Sequence, residues 1–225
     1  MPPRSSPRAA RLALDPARIA AAAVELADHE GLAALSMRRL ARLLGVEAMS
    51  LYHHVANKEE LLDGMVDRVV AEIEPPELGQ PWRGALRRRA HSAHDMLRRH
   101  PWAAQLIVAR VNVGPAMLRY IDATIGCLRE AGFTLEQADR AWNAIDSHVY
   151  GFTLQEANFP LEPDQYVEAA TAFSPQIPPD RYPHLHAMAR LVIDGQHHGI
   201  QDFDFGLELI LDGLQRLLEP GRASR

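Results

Sequence analysis

The sequence predicts an all-α protein in which a short three-helix domain precedes a longer helical one. Two observations support this prediction. Apolar residues recur three and four positions apart along most of the chain, and capping residues, glycines and prolines mark successive helix ends. No segment alternates apolar and polar residues as a strand does. Because Pro75 and Pro76 interrupt the helical pattern, we place domains at 15–73 and 77–220, after a flexible basic arm at 1–14.

Composition excludes several classes of protein. The 225 residues are 47% hydrophobic, enough for a substantial core, yet no apolar run is long enough to span a membrane. The N-terminus also lacks the apolar segment of a secretory signal, so we expect a cytoplasmic protein without a membrane partner. The single cysteine, Cys127, rules out an intrachain disulfide and a thiolate metal cluster, and no cofactor is expected.

Charge is unevenly distributed along the chain. The net charge is −5, but residues 1–58 hold eight basic and five acidic residues, which leaves −8 on residues 59–225. A basic module on an acidic body fits binding of a polyanion, although a difference this small also arises by chance. The arm, with Arg4, Arg8 and Arg11, could enter a DNA minor groove or remain disordered.

The first two helices have clear boundary signals. Asp15 followed by Pro16 is typical of a helix start, and Gly31 ends that helix. Ser36 can cap a second helix of about two turns, which Gly45 ends because glycine tolerates a positive φ. The expected inward stripes are Ile19, Ala23, Leu26 and Ala27, then Met37, Leu40, Ala41 and Leu44.

A third helix, from about 47 to 53, raises a question of stability, because isolated helices under about 12 residues are marginal in water. Neighbouring helices must hold it through Val46, Leu51 and Val55. The face left outside consists of Ala48, Met49, Ser50, Tyr52 and His53. A glycine turn between two short helices, the second with an exposed face, is the arrangement that inserts a helix into the DNA major groove.

A fourth helix is expected after Asn57, which lies three residues before Glu60 as in a capping box. Its apolar positions are Leu61, Leu62, Met65, Val66 and Val69. Later helices are expected at about 81–99, 102–110, 115–131, 134–157, 164–173, 183–193 and 203–218.

The stretch LSMRRLARLLGVEAMSLYHHVANKEELLDGM, within residues 32–70, resembles the DNA-binding domain of the tetracycline-repressor (TetR) family. Two later stretches, LREAGFTLEQADRAW and FDFGLELILDGL, resemble the ligand-binding and dimerising half of the repressor subgroup. The resemblance implies a homodimeric, all-helical transcriptional regulator. Such a protein binds a palindromic operator in double-stranded DNA, usually as a repressor, and is released by a small molecule.

The resemblance also assigns DNA contacts: Arg38, Ala48, Met49 and Ser50 face bases, whereas Tyr52, His53, His54 and Lys58 approach phosphates. Ala48 and Met49 offer no hydrogen bonds and can contact only thymine methyl groups, so we expect T-rich contacts. Arg38 is the one side chain of this set able to bind a guanine through two hydrogen bonds. Taken singly, Tyr52 and the histidines could instead be ordinary packing or solvent-facing residues.

By the same resemblance, the helices at 134–157 and 203–218 belong to a four-helix dimer bundle. The interface residues expected are Phe203, Gly206, Leu207, Ile210, Gly213, Leu214 and Leu217. Each glycine costs about 1 kcal/mol relative to alanine inside a helix. Close approach of another helix would explain why glycine is tolerated at both positions. The alternative is that this stripe packs within one chain.

Amphipathic side chains of the body could line an effector pocket, although most could equally be core. The candidates are Trp82, His94, Trp102, Asn112, Met117, Trp142, Asp146, His148, Tyr150 and Phe152. By the resemblance, Asn112 in VARVNVGP stands where the repressor subgroup carries a magnesium-linked histidine. Magnesium-tetracycline is therefore not expected, and we expect an apolar or aromatic effector.

The histidine content supports an alternative of a different class. A metal-dependent hydrolase could use the pairs His91 and His94, His184 and His186, or His197 and His198. None has the spacing of an HExxH motif, and neither GxSxG nor a phosphate-binding glycine loop occurs, so we expect no enzyme and assign no metal site. A DNA-binding activator without a small-molecule effector also stays open.

Overall fold

The computed structural model describes residues 14–197 and 202–219, and all regular structure in these residues is helical. The all-α prediction is therefore confirmed. The α-helices of the described residues are α1 (Pro16–Glu30), α2 (Met37–Leu44), α3 (Ala48–Tyr52), α4 (Lys58–Val70), α5 (Trp82–Arg99), α6 (Ala103–Ala109), α7 (Pro115–Glu130), α8 (Leu135–Ala157), α9 (Tyr166–Phe173), α10 (Pro183–Ile193) and α11 (Phe203–Leu218). The arm up to residue 13 and His198 lie outside the described residues.

The helices group into two compact units. The first ends at Ala131 and contains α1–α7, and the second begins at Gly132 and contains α8–α11. In the first unit α4 packs against α1 and also against α5, α6 and α7, which explains why this unit extends beyond the residues predicted as one domain, 15–73. In the second unit α8 packs against α11, and α9 packs against α10. None of the described helices has the length and apolar character that crossing a membrane requires.

The predicted start and stop signals of the first helices form as expected. Asp15 Oδ1 accepts a hydrogen bond from the backbone N–H of Arg18 at 2.8 Å, and Ser36 Oγ accepts one from Arg39 at 3.3 Å. Gly45 ends α2 in the left-handed region, with φ 67° and ψ 34°. These local bonds satisfy backbone groups that a helix end otherwise leaves without partners.

The capping box expected at Asn57 is only half formed. Asn57 Oδ1 accepts from the N–H of Glu60 at 2.9 Å, but the Glu60 carboxylate accepts from Ala56, at 2.6 Å, rather than from Asn57. A complete box that we did not predict opens α8. There Thr134 Oγ1 accepts from the N–H of Gln137 at 3.1 Å, and Gln137 Oε1 accepts from the N–H of Thr134 at 2.8 Å.

The core of the first unit is built from the predicted apolar stripes. Its fully or nearly fully buried members include Ile19, Ala23, Leu40, Leu51, Leu61, Met65, Val66 and Val69. Two residues expected to face inward, Leu44 and Val46, are only half-buried. They flank Gly45, where the chain turns at the surface, so the neighbouring helices do not cover them fully.

Candidate DNA-binding surface and its links to the body

Two buried side chains hold the short helix α3 in place. Leu51 is 0% exposed and Val55 is buried beside it, so both point into the core of the first unit. The backbone is held as well, because Val46 N–H donates to Ala41 O at 3.0 Å and Val55 N–H donates to Leu51 O at 2.9 Å. A helix of five residues is thus stabilised by its packing rather than by its own turns.

The opposite side of α3 faces outward, as the sequence predicts. Met49 is 66% exposed and Tyr52 is 43% exposed, while His53 is exposed and Ala48 and Ser50 are half-buried. A methionine and a tyrosine displayed together on a fixed helix form an apolar surface with one polar group. Such a surface suits contact with thymine methyl groups and a phosphate.

Helix α2, which packs against α3, carries exposed arginines. Arg38 and Arg42 are exposed and lie four residues apart on the same side of the helix, and neither guanidinium group has a hydrogen bond or ion pair with another described residue. Their neighbour Arg39 is different, because its guanidinium pairs with Glu30 of α1. Arg42 was not among the predicted contacts, although its spacing from Arg38 could have identified it.

Lys58, predicted to approach a phosphate, has a structural partner too. Its Nζ donates to the backbone carbonyl of Leu35 at 3.1 Å, which ties the start of α4 to the segment before α2. An ammonium group carries three N–H donors, so two remain for an anionic oxygen. His54, next to α3, is exposed.

Helix α4 also contacts the segment that joins α6 to α7. Asp67 Oδ1 accepts from the backbone N–H groups of Ala116 and Met117, at 2.7 and 3.0 Å, and so acts as a cap for the first turn of α7. Gly114 lies so close that a methyl group at this position would overlap the Asp67 carboxylate. The start of α7 is therefore fixed to α4 by two hydrogen bonds and a close contact.

Arg110, at the end of α6, forms a second link to α4. Its guanidinium pairs with Glu59 and with Asp63, the latter at 2.7 Å, and these two carboxylates lie one helical turn apart. The hydrogen bonds to Glu59 and then to Asp63 raise the pKa of Arg110 above its ordinary value. Together with Asp67, these residues form an acidic stripe on α4 that holds the α6–α7 segment.

A third link joins α1 to the turn between α5 and α6. Asp28 Oδ1 accepts from Trp102 Nε1 at 2.7 Å and lies 2.8 Å from His100 Nδ1. The other imidazole nitrogen of His100 lies 3.4 Å from Glu72, which also pairs with Arg99 at 2.8 Å. Burial acts to raise the pKa of Glu72, but the hydrogen bond from Arg99 and the charge and hydrogen bond of His100 outweigh it, so the net pKa is lowered.

This third link changes the interpretation of Trp102. We expected Trp102 in an effector pocket, yet it is buried and its indole N–H is used by Asp28. Its position joins α1 to the turn between α5 and α6.

Of the other pocket candidates in the first unit, His94 and Met117 are buried, and Trp82 and Asn112 are half-buried. Asn112 Nδ2 donates to the carbonyls of Ile107 and Arg110, at 3.0 and 3.1 Å, and so caps the end of α6.

The five pocket candidates of the second unit form two groups on α8. Asp146 Oδ2 accepts from Trp142 Nε1 at 2.7 Å and from the Tyr150 hydroxyl at 3.2 Å. His148 stacks on Phe203 with ring centroids 5.0 Å apart, and Phe152 meets both rings. The residues within each group therefore contact one another. The second group, His148 and Phe152, packs α8 against α11.

Packing of α11 corrects part of the predicted dimer interface. Phe203, Leu207 and Leu214 are buried within the chain, and a methyl group at Gly206 would overlap the His148 ring. These residues follow the alternative of intrachain packing, because α8 covers that side of α11. The remaining candidates are Ile210, which is half-buried, and Gly213 and Leu217, which are exposed.

A different face of α11 is not covered by the described residues of the second unit. Phe205, Leu209, Gly213 and Leu217 are all exposed and recur every four residues, with Phe205 at 65%. An alanine methyl at Gly213 would touch none of the described residues. The sequence did not distinguish this face because α11 is apolar on several sides.

The histidine pairs gain no support as a metal centre. Across residues 14–197 and 202–219, no group of three or more His, Cys, Asp or Glu side chains is placed to hold a metal ion. Of the paired histidines, His186 instead hydrogen bonds through Nδ1 to the backbone carbonyl of Ile177 at 2.9 Å. The lone thiol, Cys127, is buried, and this burial raises its pKa.

Within the described residues, all regular structure is helical, and a short outward helix follows a glycine turn and a helix with exposed arginines. These are the features of a helix-turn-helix DNA-binding protein. Sequence comparison identifies the family. Residues 19–65 match the bacterial regulatory proteins of the tetR family, and residues 75–218 match the tetracyclin repressor-like C-terminal domain. The chain belongs to the TetR family of transcriptional regulators.

Individual relatives agree with this assignment. The transcriptional repressor DrrR1 of Streptomyces coeruleorubidus is 37% identical over 216 residues, which cover 91% of this chain and 78% of DrrR1. ActR of Streptomyces coelicolor, in complex with actinorhodin, superposes with a TM-score of 0.78 at 30% identity and covers 91% of this chain and 96% of ActR. BioQ, bound to its natural double-stranded DNA operator, superposes with a TM-score of 0.64 at 26% identity, and the match covers 91% of this chain and 99% of BioQ.

Proposed function

We propose that this protein is a repressor that binds a two-fold symmetric operator as a homodimer and leaves it when a small molecule binds. The observation that carries the proposal is the outward face of α3, on which Met49 and Tyr52 are exposed while Leu51 anchors the helix from behind. A cytoplasmic location follows from this function, since the operator must be accessible. Relatives named as repressors support the same conclusion.

The exposed side chains divide into two kinds of DNA contact. Ala48, Met49 and Ser50 lie on the first turn of α3 and would face base edges, where the first two can contact only thymine methyl groups. The expected phosphate contacts are Tyr52, His53, His54, Lys58 and, newly, Arg42. Arg38 remains the candidate for a guanine contact, worth about 1–3 kcal/mol of discrimination.

The proposed homodimer would use the exposed faces of α8 and α11. On α11 the face consists of Phe205, Leu209, Gly213 and Leu217. On α8 the exposed residues Ala144, Ser147 and Gly151 recur at helical spacing and have small side chains, which permits close approach of another helix. An apolar face of this kind would be costly if left in water. A second copy of the chain covers it in the four-helix arrangement.

Release would act through the contacts between α4 and the α6–α7 segment. Asp67 and Arg110 bind the first turn of α7 and the end of α6 to the helix that follows α3. A ligand that displaces this segment would therefore shift α4 and the position of α3 relative to DNA. For the effector we propose an apolar or aromatic molecule. The pocket candidates that stay half-buried in the first unit are Trp82 and Asn112. ActR, a structural relative, is found with actinorhodin.

DNase footprinting on DNA upstream of the protein's own and neighbouring genes tests the proposal. We expect protection of an inverted repeat, and an affinity that falls steeply as salt is raised because phosphate contacts release counterions. Protection of a single half-site, or an affinity independent of salt, contradicts the proposal. Stoichiometric metal with hydrolytic turnover and no DNA affinity would instead support the hydrolase alternative.

A further inference from the structure

A groove of about 370 Å³ lies between α9 and α10 in the second unit. Its walls include Ala170 and Phe173 of α9 and Met188 and Val192 of α10. No carboxylate, lysine or arginine lines it among the described residues, and His197 is its one imidazole. Apolar cavities of roughly 300–1,000 Å³ with a few polar groups are the usual form of a small-molecule site.

Tyr166, one of the residues that line the groove, carries a buried polar group. Tyr166 is 7% exposed, and its buried hydroxyl has no hydrogen-bond partner among the described residues. Its ring is fixed edge-on against Phe159, with centroids 5.5 Å apart and an interplanar angle of 89°. A buried hydroxyl without a partner is unfavourable, so its presence in a groove lined otherwise by apolar side chains and His197 indicates a partner supplied from outside.

We propose that this groove binds an uncharged aromatic small molecule that carries one hydrogen-bonding group facing the Tyr166 hydroxyl. The absence of charged lining selects against ionic ligands, because a charge placed there would lose its hydration without compensation. The site differs from the effector pocket predicted above, since none of those ten residues lines it. Binding in the groove does not depend on operator binding; only its effect on repression rests on the proposed function.

Fluorescence titration with Nile red tests the proposal in the full-length protein. Nile red is an uncharged aromatic dye with a ring carbonyl, and it brightens in apolar surroundings. We expect saturable binding that Tyr166→Phe weakens about two- to tenfold, the range that one lost hydrogen bond gives. Pyrene, an aromatic hydrocarbon without polar atoms, should bind Tyr166→Phe as tightly as the wild type, or more tightly.

Two matched substitutions on α9 localise the site. Ala170→Trp fills the groove and should abolish Nile red binding, whereas Ala172→Trp, at an exposed position outside the groove, should leave it unchanged. Circular dichroism checks that both variants remain helical. If Ala170→Trp disturbs folding, the comparison of Nile red with pyrene on Tyr166→Phe decides the question alone.

Several results would overturn the proposal. One is a Nile red affinity that neither Tyr166→Phe nor Ala170→Trp changes. Another is dye binding that disappears as the protein concentration rises while sedimentation shows a growing dimer, because a second copy then occupies the groove. Operator affinity measured on the same variants keeps the two proposals separate: loss of dye binding with intact operator binding concerns the groove only.

Discussion

Replacing Asp67 by alanine is the most direct test of the contact between α4 and the first turn of α7. The Asp67 carboxylate accepts the N–H groups of Ala116 and Met117, both on the buried side of the first turn of α7. Without this carboxylate the two donors lose their partner, and the positive end of the α7 dipole loses a negative charge. Among the described residues, no other side chain accepts a hydrogen bond from these two groups.

The expected size of the effect follows from these interactions. Loss of a capping side chain costs about 0.5–2 kcal/mol, and loss of the charge at a helix N-terminus costs about 0.3–1 kcal/mol. Because Asp67 is only half-buried, water can replace part of the bonding. We therefore expect Asp67→Ala to lower the free energy of unfolding by about 2 kcal/mol. Asp67→Asn, which keeps an acceptor oxygen, should lower it by less than half as much.

Urea denaturation followed by circular dichroism at 222 nm gives this free energy. Asp122→Ala is the matched control, since the Asp122 carboxylate is exposed on α7 and forms no hydrogen bond or ion pair with a described residue, and it should stay within about 0.5 kcal/mol of the wild type. An Asp67→Ala variant that is also within 0.5 kcal/mol of the wild type would refute the capping role. Equal losses for Asp67→Ala and Asp67→Asn would mean that charge rather than hydrogen bonding holds the contact.

Three further predictions concern stability and assembly. Gly45→Ala should cost about 1–2 kcal/mol in urea denaturation because of its positive φ, and an equal cost for Gly45→Asn would contradict this explanation. Gly206→Ala should unfold at lower urea than the wild type because its methyl meets the His148 ring. Gly213→Ala meets no such obstacle, so it should stabilise the chain by up to about 1 kcal/mol while weakening dimerisation in sedimentation. The pKa of Glu72 in the folded protein lies below the usual 4.5, so its charged form stabilises the fold above pH 4.5. This stabilisation is lost as the pH falls through the folded pKa. Glu72→Gln should therefore reduce the decrease in melting temperature on acidification, measured by thermal melting across this pH range.

Much of the fold could be predicted from the sequence because its signals are local. Asp15, Ser36 and Asn57 each cap the helix that follows, and Gly45 adopts the left-handed conformation that its position suggested. The outward face of α3 was also predictable, since a helix of that length with Leu51 facing inward must expose Met49. These inferences depend on residues at most a few positions apart.

The links between helices were not predictable in the same way. Asp28 and Trp102 are 74 positions apart, and Asp67 and Ala116 are 49 apart, and nothing in the local pattern relates either pair. Trp102 therefore looked like a pocket residue, whereas it joins α1 to the body.

Which face of α11 packs within the chain was not predictable for a related reason. Phe203, Leu207 and Leu214 form an apolar stripe, but so do Phe205, Leu209 and Leu217. Periodicity shows that α11 has apolar faces and does not show which one α8 covers. Only the packing of α8 distinguishes the buried stripe from the exposed one.

The central claim, that the outward face of α3 binds DNA, is tested most directly by fluorescence anisotropy with a labelled operator fragment. Tyr52→Ala is compared with Tyr182→Ala, because the two tyrosines are 43% and 42% exposed and only the first lies on α3. We predict that Tyr52→Ala weakens operator affinity at least about tenfold, as expected for a hydrogen bond to a charged phosphate, while Tyr182→Ala binds like the wild type. Unchanged affinity for a folded Tyr52→Ala variant, or equal losses for both, would contradict the account.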